Sequence, residues 1–303
     1  MIERYKNGSL TWVDVLSPSS EEVRELFDEF NLSPELVGDL TGPVPRSEAV
    51  ESGNVIKMTM DFPIVKRTDI DHPHELKFLI GKKFLITVRY EDMEAIHHFQ
   101  KEFEVVSTLK KPGKTAVGAH LFFGLMNELY KSQAAKLDYL ETRMNNIEEE
   151  VFKAHEKEMV NEIASIGRKL ISFRQNLSAH DDVYREAKAH FERIFGTKVL
   201  KQLVELHGQY FFLTRRVNGL FETFIELRNT NMAILSTKQN EVMKILTIMA
   251  FVTFPLSLFA AMFGMNTQTL PLTGYPGDFW IIIGIMTCAT IGFFVFFKYK
   301  HWI

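Results

Sequence analysis

The sequence predicts an α+β soluble domain that is followed by a long helix and two transmembrane helices. Three observations support this fold class. Nearly all charged residues lie before residue 245, and two uncharged apolar runs of 19 residues, 245–263 and 279–297, lie after it. Between these two regions, a heptad repeat of apolar residues extends over four heptads. A chain of 303 residues has room for a soluble part and a membrane part.

The first third of the chain has mixed α/β character. Segments 17–22 (SPSSEE) and 33–34 (SP) predict helix starts, because serine caps a helix well and proline suits its first turn. Segment 55–60 (VIKMTM) predicts a strand. Segment 76–90 (LKFLIGKKFLITVRY) predicts two strands that join at Gly81 and Lys82.

Long helices are predicted from about Thr115 onward. Residues 115–155 contain many strong helix formers and no proline, and a second helix is predicted over 157–193. Residues 195–197 (FGT) indicate a break before a third helix. The acidic segment 141–158 fits either a solvated helical face or a cation site, and the solvated face is the favoured interpretation.

The third helix carries the longest repeat in the chain. Its apolar positions alternate steps of four and three: Val199, Leu203, Leu206, Tyr210, Leu213, Val217, Leu220, Phe224 and Leu227. This period of 3.5 residues is typical of helices that pack side by side. We expect one continuous helix from about Thr197 to Phe263, on the order of 100 Å long at about 1.5 Å per residue. Such a length indicates a stalk in an oligomer.

The two apolar runs are long enough to cross a bilayer, which takes about 20 apolar residues. Two buried helices of a soluble core are the alternative, but core helices are rarely uncharged on every face. Basic residues flank the runs on one side only: Lys238, Lys244, Lys298, Lys300 and His301. The positive-inside rule therefore places both termini in the cytosol and the 264–278 loop outside. The first residues, MIERYKNGSLTW, have no apolar core typical of a signal peptide, and we expect an inner (plasma) membrane protein.

Five segments follow from these boundaries. They are a cytoplasmic α/β domain with a long helical hairpin (1–196), a stalk helix that continues into the first transmembrane helix (197–263, span about 245–263), an extracytoplasmic loop (264–278), a second transmembrane helix (279–297) and a basic cytoplasmic tail (298–303).

Composition argues against several function classes. The net charge of -3 does not indicate a nucleic-acid partner. The single cysteine, Cys288, excludes an intramolecular disulfide. No nucleophile, base and orienting group occur in a recognisable order, so we predict neither an enzyme nor an organic cofactor. The adjacent His97 and His98 are interpreted as surface histidines.

A second, more polar seam runs through the first apolar run. We define the pore seam as Asn240, Met243, Thr247, Ala250, Phe254, Ser257 and Ala261, with Leu246 beside it. Small and polar residues on one face of a membrane helix indicate either helix packing or a wet lumen. Heptad extension of the seam toward the N-terminus reaches Glu226 and Glu222. Two glutamates do not suit a dry helix contact, which favours the lumen.

The first apolar run ends in Phe263-Gly264-Met265-Asn266. This GMN tripeptide, which ends the first of two C-terminal membrane helices, resembles the CorA family of magnesium channels. Asn266 lies 26 residues after Asn240, which begins the segment NEVMK. The loop segment 274–276 (GYP) and the basic C-terminus are similar to that family too. The resemblance is close over the last 65 or so residues and is one of layout over the rest.

The resemblance implies a funnel-shaped homopentamer in the lipid bilayer. The first membrane helices would line the pore, with Gly264, Met265 and Asn266 as the selectivity filter and Met243 and Leu246 as a hydrophobic gate. The cargo would be Mg²⁺, with Co²⁺ and Ni²⁺ as further cargo, and the membrane potential would drive influx. A Zn²⁺ transporter on the same scaffold is one alternative, and a membrane-anchored oligomeric scaffold or receptor is another.

The resemblance also implies that bound cytoplasmic Mg²⁺ closes the channel by bridging neighbouring subunits. Glu205 falls where the family places a carboxylate on the stalk, and Glu91 and Asp92 are the expected partners on the adjacent chain. The alternative is that all three are ordinary surface acids. Within the pore seam, Phe254 is bulky for a pore-lining position, so either the pore is wide there or the ring turns aside.

Overall fold

The structure is a computed structural model that describes residues 1–38, 40–43, 46–63, 74–109, 117–265, 274 and 276–302. The chain divides into two compact units, Met1–Arg228 and Asn229–Ile303. We call them the N-terminal unit and the C-terminal unit.

The N-terminal unit contains a mixed sheet with strand order β1-β2-β6-β5-β4-β3. Its strands are β1 (Ile2–Asn7), β2 (Leu10–Leu16), β3 (Glu48–Ser52), β4 (Val55–Phe62), β5 (His74–Ile80) and β6 (Phe84–Arg89). Strands β2 and β6 pair in parallel, and the remaining neighbours are antiparallel. The strand expected at 55–60 and the two expected in 76–90 are confirmed.

The helices are α1 (Ser20–Phe30), α2 (Pro34–Val37), α3 (Glu94–Leu109), α4 (Gly118–Glu150), α5 (Met159–Ser178), α6 (His180–Phe195), α7 (Thr197–Phe263) and α8 (Asp278–Tyr299). Helix α1 begins with a capping box, in which Ser19 Oγ accepts from the Glu22 backbone N–H and the Glu22 carboxylate accepts from the Ser19 N–H. The predicted helix start at 17–22 and the continuous helix from Thr197 to Phe263 are confirmed.

The single helix predicted over 157–193 is wrong, because the chain bends at Ala179 between α5 and α6. The bend places the His180 ring where Nε2 lies 2.8 Å from the Asp61 carbonyl oxygen of β4. His180 Nδ1 also lies 3.0 Å from the Tyr130 hydroxyl of α4. Helix α6 therefore follows the sheet, whereas an unbroken helix would carry these buried contacts away from it.

Helix α4 ends in one π-helical turn, Val151–His155. Within this turn Ala154 adopts a left-handed conformation with φ of 72°, which costs a residue with a Cβ about 1–2 kcal/mol. Most of the acidic segment around this turn is exposed, as expected for a solvated face, but Glu156 is buried.

The heptad stripe on α7 is buried within the chain itself. Each of its nine members, Val199 to Leu227, is at most 8% exposed. The Phe224 ring would touch a Cβ placed on Gly167 of α5, and the Arg174 guanidinium of α5 lies 4.5 Å from the Phe221 ring centroid. Tyr210 lies beside Tyr184 of α6. Side-by-side packing is thus confirmed, but its partners are α5 and α6. The repeat therefore does not itself indicate contacts between subunits.

In the C-terminal unit, α8 and the end of α7 are each long and apolar enough to cross a membrane. On this part of α7 the less exposed apolar side chains are Ile248, Val252, Leu256, Phe259 and Phe263. On α8 they are Ile282, Met286, Phe293 and Phe297, and the half-buried Thr290 continues the row between Met286 and Phe293. The spacing of both sets by three or four residues gives each helix one covered stripe.

Candidate ion pathway and regulatory site

The pore seam lies on α7 away from the covered stripe of that helix. Asn240, Met243, Phe254, Ser257 and Ala261 are exposed, as is the neighbouring Leu246. Thr247 and Ala250 are half-buried. In a 3.5-residue repeat the seven heptad positions are spaced by about 50° in their order around the helix axis. On this scale the positions of the seam lie nearly opposite those of the covered stripe. The seam therefore lies away from the covered stripe, and five of its seven residues are exposed, as are several residues of the span that do not belong to it.

Two seam side chains have informative geometry. The Thr247 hydroxyl donates to the Met243 carbonyl oxygen at 2.7 Å, so its oxygen remains available as an acceptor. The Phe254 side chain is 72% exposed and does not fold back onto its own chain. The sequence left two alternatives for Phe254: a pore that is wide at this position, or a ring that turns aside. A ring that turns aside would have to pack against a group outside the described residues.

The seam ends at the start of the tripeptide. The Gly264 N–H donates to the Ala260 carbonyl oxygen at 2.9 Å, and the Met265 N–H donates to the Met262 oxygen at 3.4 Å. Gly264 is not among the glycines with positive φ, so a left-handed backbone conformation does not explain the glycine. Met265 is exposed, and Asn266 lies outside the described residues.

Asp92 is already engaged within its own chain. It lies in the turn between β6 and α3, where the Arg89 Nη1 group donates to its Oδ1 atom at 2.9 Å. His97 Nε2 lies 2.7 Å from the same oxygen. Slight desolvation acts to raise the pKa of Asp92, but the hydrogen bonds from His97 and Arg89 outweigh it and hold the pKa below its ordinary value.

Glu205 lies on an exposed part of α7, in a groove of about 590 Å³ that α4 lines with Glu128 and Lys131. Its carboxylate is 4.0 Å from the Lys201 ammonium, a distance at which an exposed pair contributes little. The Glu91 carbonyl oxygen accepts from Arg89 at 3.1 Å. Within the described ranges no three His, Cys, Asp or Glu side chains form a metal-binding group. One chain alone thus does not unite Glu91, Asp92 and Glu205.

The sequence reasoning missed the two donors that hold Asp92. Arg89 precedes Asp92 by three residues and His97 follows it by five, spacings that are compatible with contact across a turn into a helix. His97 and His98 were interpreted as surface histidines, and both are exposed. His97 is nevertheless a specific partner of Asp92, while His98 lies 3.6 Å from Glu94.

An α+β unit, the 67-residue helix α7 and the helix α8, of which α7 and α8 are each long and apolar enough to cross a membrane, have the architecture of a membrane protein. Residues 7–299 match the family model described as CorA-like Mg²⁺ transporter protein. The chain belongs to this family, and the resemblance stated above is confirmed.

Two further proteins show how far the similarity extends. The cobalt/magnesium transport protein CorA of Methanocaldococcus jannaschii is 24% identical over 319 residues, which cover 99% of this chain and 93% of that protein. The complete structure of the CorA magnesium transporter from that organism superposes with a TM-score of 0.82 at 21% identity, over 99% of this chain and 93% of that one. It confirms the fold class of a sheet-containing domain, a long helix and a C-terminal apolar helix.

A protein with another cargo in its name shares part of the fold. The ZntB cytoplasmic domain from Vibrio parahaemolyticus superposes with a TM-score of 0.60 at 13% identity, over 77% of this chain and 89% of that domain. At this identity the likeness concerns the fold alone.

Proposed function

We propose that this protein is a divalent-cation channel that carries Mg²⁺, and also Co²⁺ and Ni²⁺, into the cytosol along the membrane potential. The observation that carries the proposal is the pore seam, a face of mostly small and polar residues that lies away from the covered stripe of the first span. Membership of the CorA-like family supports Mg²⁺ as the cargo. The name of the M. jannaschii relative supports cobalt as well.

The proposed assembly is a homopentamer in the plasma membrane, with both termini in the cytosol. Five α7 helices would surround the pore and five α8 helices would form an outer ring. This arrangement would cover the open seam with water and ions rather than with lipid, which solvates polar groups poorly. The proposed domain boundaries are those predicted from the sequence, with segment 264–278 outside the cell.

In the proposed filter, Asn266 and the Gly264 and Met265 backbone hold the ion at the outer mouth. Mg²⁺ sheds its water slowly and prefers oxygen ligands. A ring of amide and carbonyl oxygens can bind the water shell without removing it. Met243 and Leu246, both exposed on α7, would form the apolar constriction that closes when it loses water.

Cysteine accessibility tests the pore face directly. In a Cys288→Ala background, Ser257→Cys places a thiol on the seam and Leu258→Cys places one on the adjacent, non-seam position. A small, charged thiol reagent should block Mg²⁺ flux into liposomes through the Ser257→Cys protein and leave the Leu258→Cys protein conducting. Equal block of both proteins, or of neither, would contradict the assignment of the seam.

Substitution of the filter tests the chemistry. Asn266→Ala should abolish Mg²⁺ flux, because it removes the amide oxygen from each subunit, while native mass spectrometry in detergent should still show a pentamer. Thr287→Ala on α8 serves as the control. Flux of Zn²⁺ but not Mg²⁺ through the parent protein would favour the zinc alternative, and absence of any flux would favour a scaffold or receptor.

The proposed gate predicts the opposite change. Leu246→Ser should keep the constriction wet and raise the resting flux at high internal Mg²⁺. If Leu246→Ser conducts no better than the parent, the gate lies elsewhere on the helix.

For regulation, we propose that Mg²⁺ bridges Glu205 of one subunit and the Glu91–Asp92 turn of its neighbour. Bound cations would screen carboxylates that otherwise repel, and their loss would let the subunits separate. Glu205→Lys should remove the protection that Mg²⁺ gives against proteolysis. Protection that still follows millimolar Mg²⁺ as in the parent would exclude Glu205.

A further inference from the structure

Arg89 is shared between two carboxylates that differ in burial. Its side chain is 5% exposed, and its Nε and Nη2 atoms each lie 3.0 Å from the Asp14 Oδ2 atom inside the sheet. Its remaining terminal nitrogen, Nη1, reaches Asp92, whose side chain is 70% exposed. The buried pair with Asp14 fixes the guanidinium, because an unpaired buried charge is strongly disfavoured.

His97 adds a second donor to the same exposed carboxylate. A carboxylate only accepts hydrogen bonds, so the 2.7 Å contact requires the hydrogen on His97 Nε2. Both donors contact Oδ1, and in the described part of the chain no group donates to Oδ2. Asp92 thus already has two hydrogen bonds and a fixed positive charge beside it before any cation binds.

These contacts bear on any divalent cation that uses Asp92. A hydrated cation presents water hydrogens to the carboxylate, so it must compete with the two existing donors at Oδ1, whereas Oδ2 has no donor in the described part of the chain. The guanidinium also repels a second positive charge, and the pair with Asp14 prevents it from moving away with Asp92. The Arg89 guanidinium is thus a permanent positive charge next to Asp92, a proposed ligand of the metal ion.

We propose that Arg89 and His97 are internal competitors that raise the divalent-cation concentration needed to occupy Asp92. In this way they set the threshold of the regulatory site. The inference rests on the proposed role of Asp92 as a ligand between subunits. Neither residue would contact the ion: His97 acts through the Asp92 carboxylate, and Arg89 acts through that carboxylate and by charge repulsion.

The test measures the Mg²⁺ concentration that gives half-maximal protection of the full-length protein from a protease. His97→Ala removes one competitor from an exposed position and should lower this concentration about threefold or more, the size of one exposed polar contact. His97→Gln keeps a donor and should shift it less. His98→Ala, at the next position and paired with Glu94, is the matched control and should leave it unchanged.

The result separates the inference from the proposal on which it rests. If Asp92→Asn raises or abolishes the Mg²⁺ response but His97→Ala leaves the half-protective concentration unchanged, Asp92 is a ligand and the competition is refuted. If Asp92→Asn responds to Mg²⁺ like the parent, the site assignment and the inference both fail. A half-protective concentration that rises in His97→Ala would show that His97 assists binding, which also overturns the inference.

Discussion

The two parts of α7 differ in what covers them. From Val199 to Leu227 the helix buries a full heptad stripe against α5 and α6. From Asn229 to Phe263 most side chains are exposed, and only one narrow stripe is less so. The lesson is that a heptad repeat identifies a packing face without identifying the partner. In the N-terminal unit the partner is the same chain, whereas in the C-terminal unit the described chain leaves most of the helix surface uncovered.

The largest expected effect is at the centre of the covered stripe. Leu213 is 2% exposed, and Leu213→Ala should destabilise the N-terminal unit by about 3 kcal/mol through lost burial and a residual cavity. The control is Val204→Ala on the same helix. Val204 is 61% exposed, and its substitution should change stability by less than about 0.5 kcal/mol. Urea unfolding followed by circular dichroism checks both, and equal losses would contradict the intrachain cover.

Much of this contrast follows from the sequence, and part of it does not. Periodicity predicts the nine-residue stripe, the continuous helix and the two apolar runs, because each depends on local spacing. The partner of the stripe is a tertiary property, which depends on how the α5–α6 bend at Ala179 places His180 against the sheet. Residues 159–178 and 180–195 are helical as their propensity predicts, and only the interruption at Ala179 was not predicted.

The candidate site shows the same division. The seam from Asn240 to Ala261 is readable from steps of three and four, and its role as the pore lining stays a prediction. The engagement of Asp92 is not readable in that way, because it depends on Arg89 being held by Asp14, which is 75 residues away in the chain. A carboxylate in a turn that the sequence suggests as a metal ligand can thus already be hydrogen-bonded within its own chain.

The second prediction concerns the pH dependence of stability that arises from the buried His180 of α6, one of the helices that cover the stripe. Burial lowers the pKa of His180 to about 4, although the hydrogen bond to the Asp61 carbonyl opposes the shift, and the ordinary value is about 6.5. Between these values the unfolded chain binds a proton that the folded chain excludes. Stability is therefore full above about pH 6.5 and falls as the pH approaches 4, by about 3 kcal/mol in total.

His180→Gln tests this dependence, because glutamine does not titrate. The variant should be less stable than the parent at pH 7, since the imidazole contacts to Tyr130 and Asp61 are lost. Its stability should nevertheless fall less steeply between pH 6.5 and 4 when both proteins are unfolded by urea. Identical slopes would show that folding does not lower the pKa of His180.

A smaller effect is expected where α5 approaches α7. A Cβ on Gly167 would lie 2.4 Å from Phe224 Cζ, so Gly167→Ala forces the buried ring or the helix to move. We expect a loss of about 2 kcal/mol in unfolding free energy, as for other overpacked cores. Gly219→Ala is the control, because a Cβ there meets no atom within 4 Å, and alanine should gain about 0.5–1 kcal/mol in a helix. If both variants lose stability, Gly219 contacts a group outside the single chain. The uncovered face of α7 would then extend into the N-terminal unit.

The smallest effect is expected at the π-helical turn between α4 and α5, the hairpin whose second helix covers the stripe. Ala154 holds a φ of 72°, which glycine adopts without a steric cost. Ala154→Gly should therefore stabilise the protein, by about 1 kcal/mol for the relieved strain less the added freedom of the unfolded chain.

Gly196, with φ of 81° just before α7, supplies the reciprocal variant. Gly196→Ala should lose more than Ala154→Gly gains, because φ of 81° with ψ of 173° is a conformation that is essentially restricted to glycine. Thermal unfolding of the two variants should move the midpoint in opposite directions. A destabilised Ala154→Gly would mean that the Ala154 methyl group makes a contact worth more than the strain, and that the turn has a partner beyond the α4–α5 hairpin.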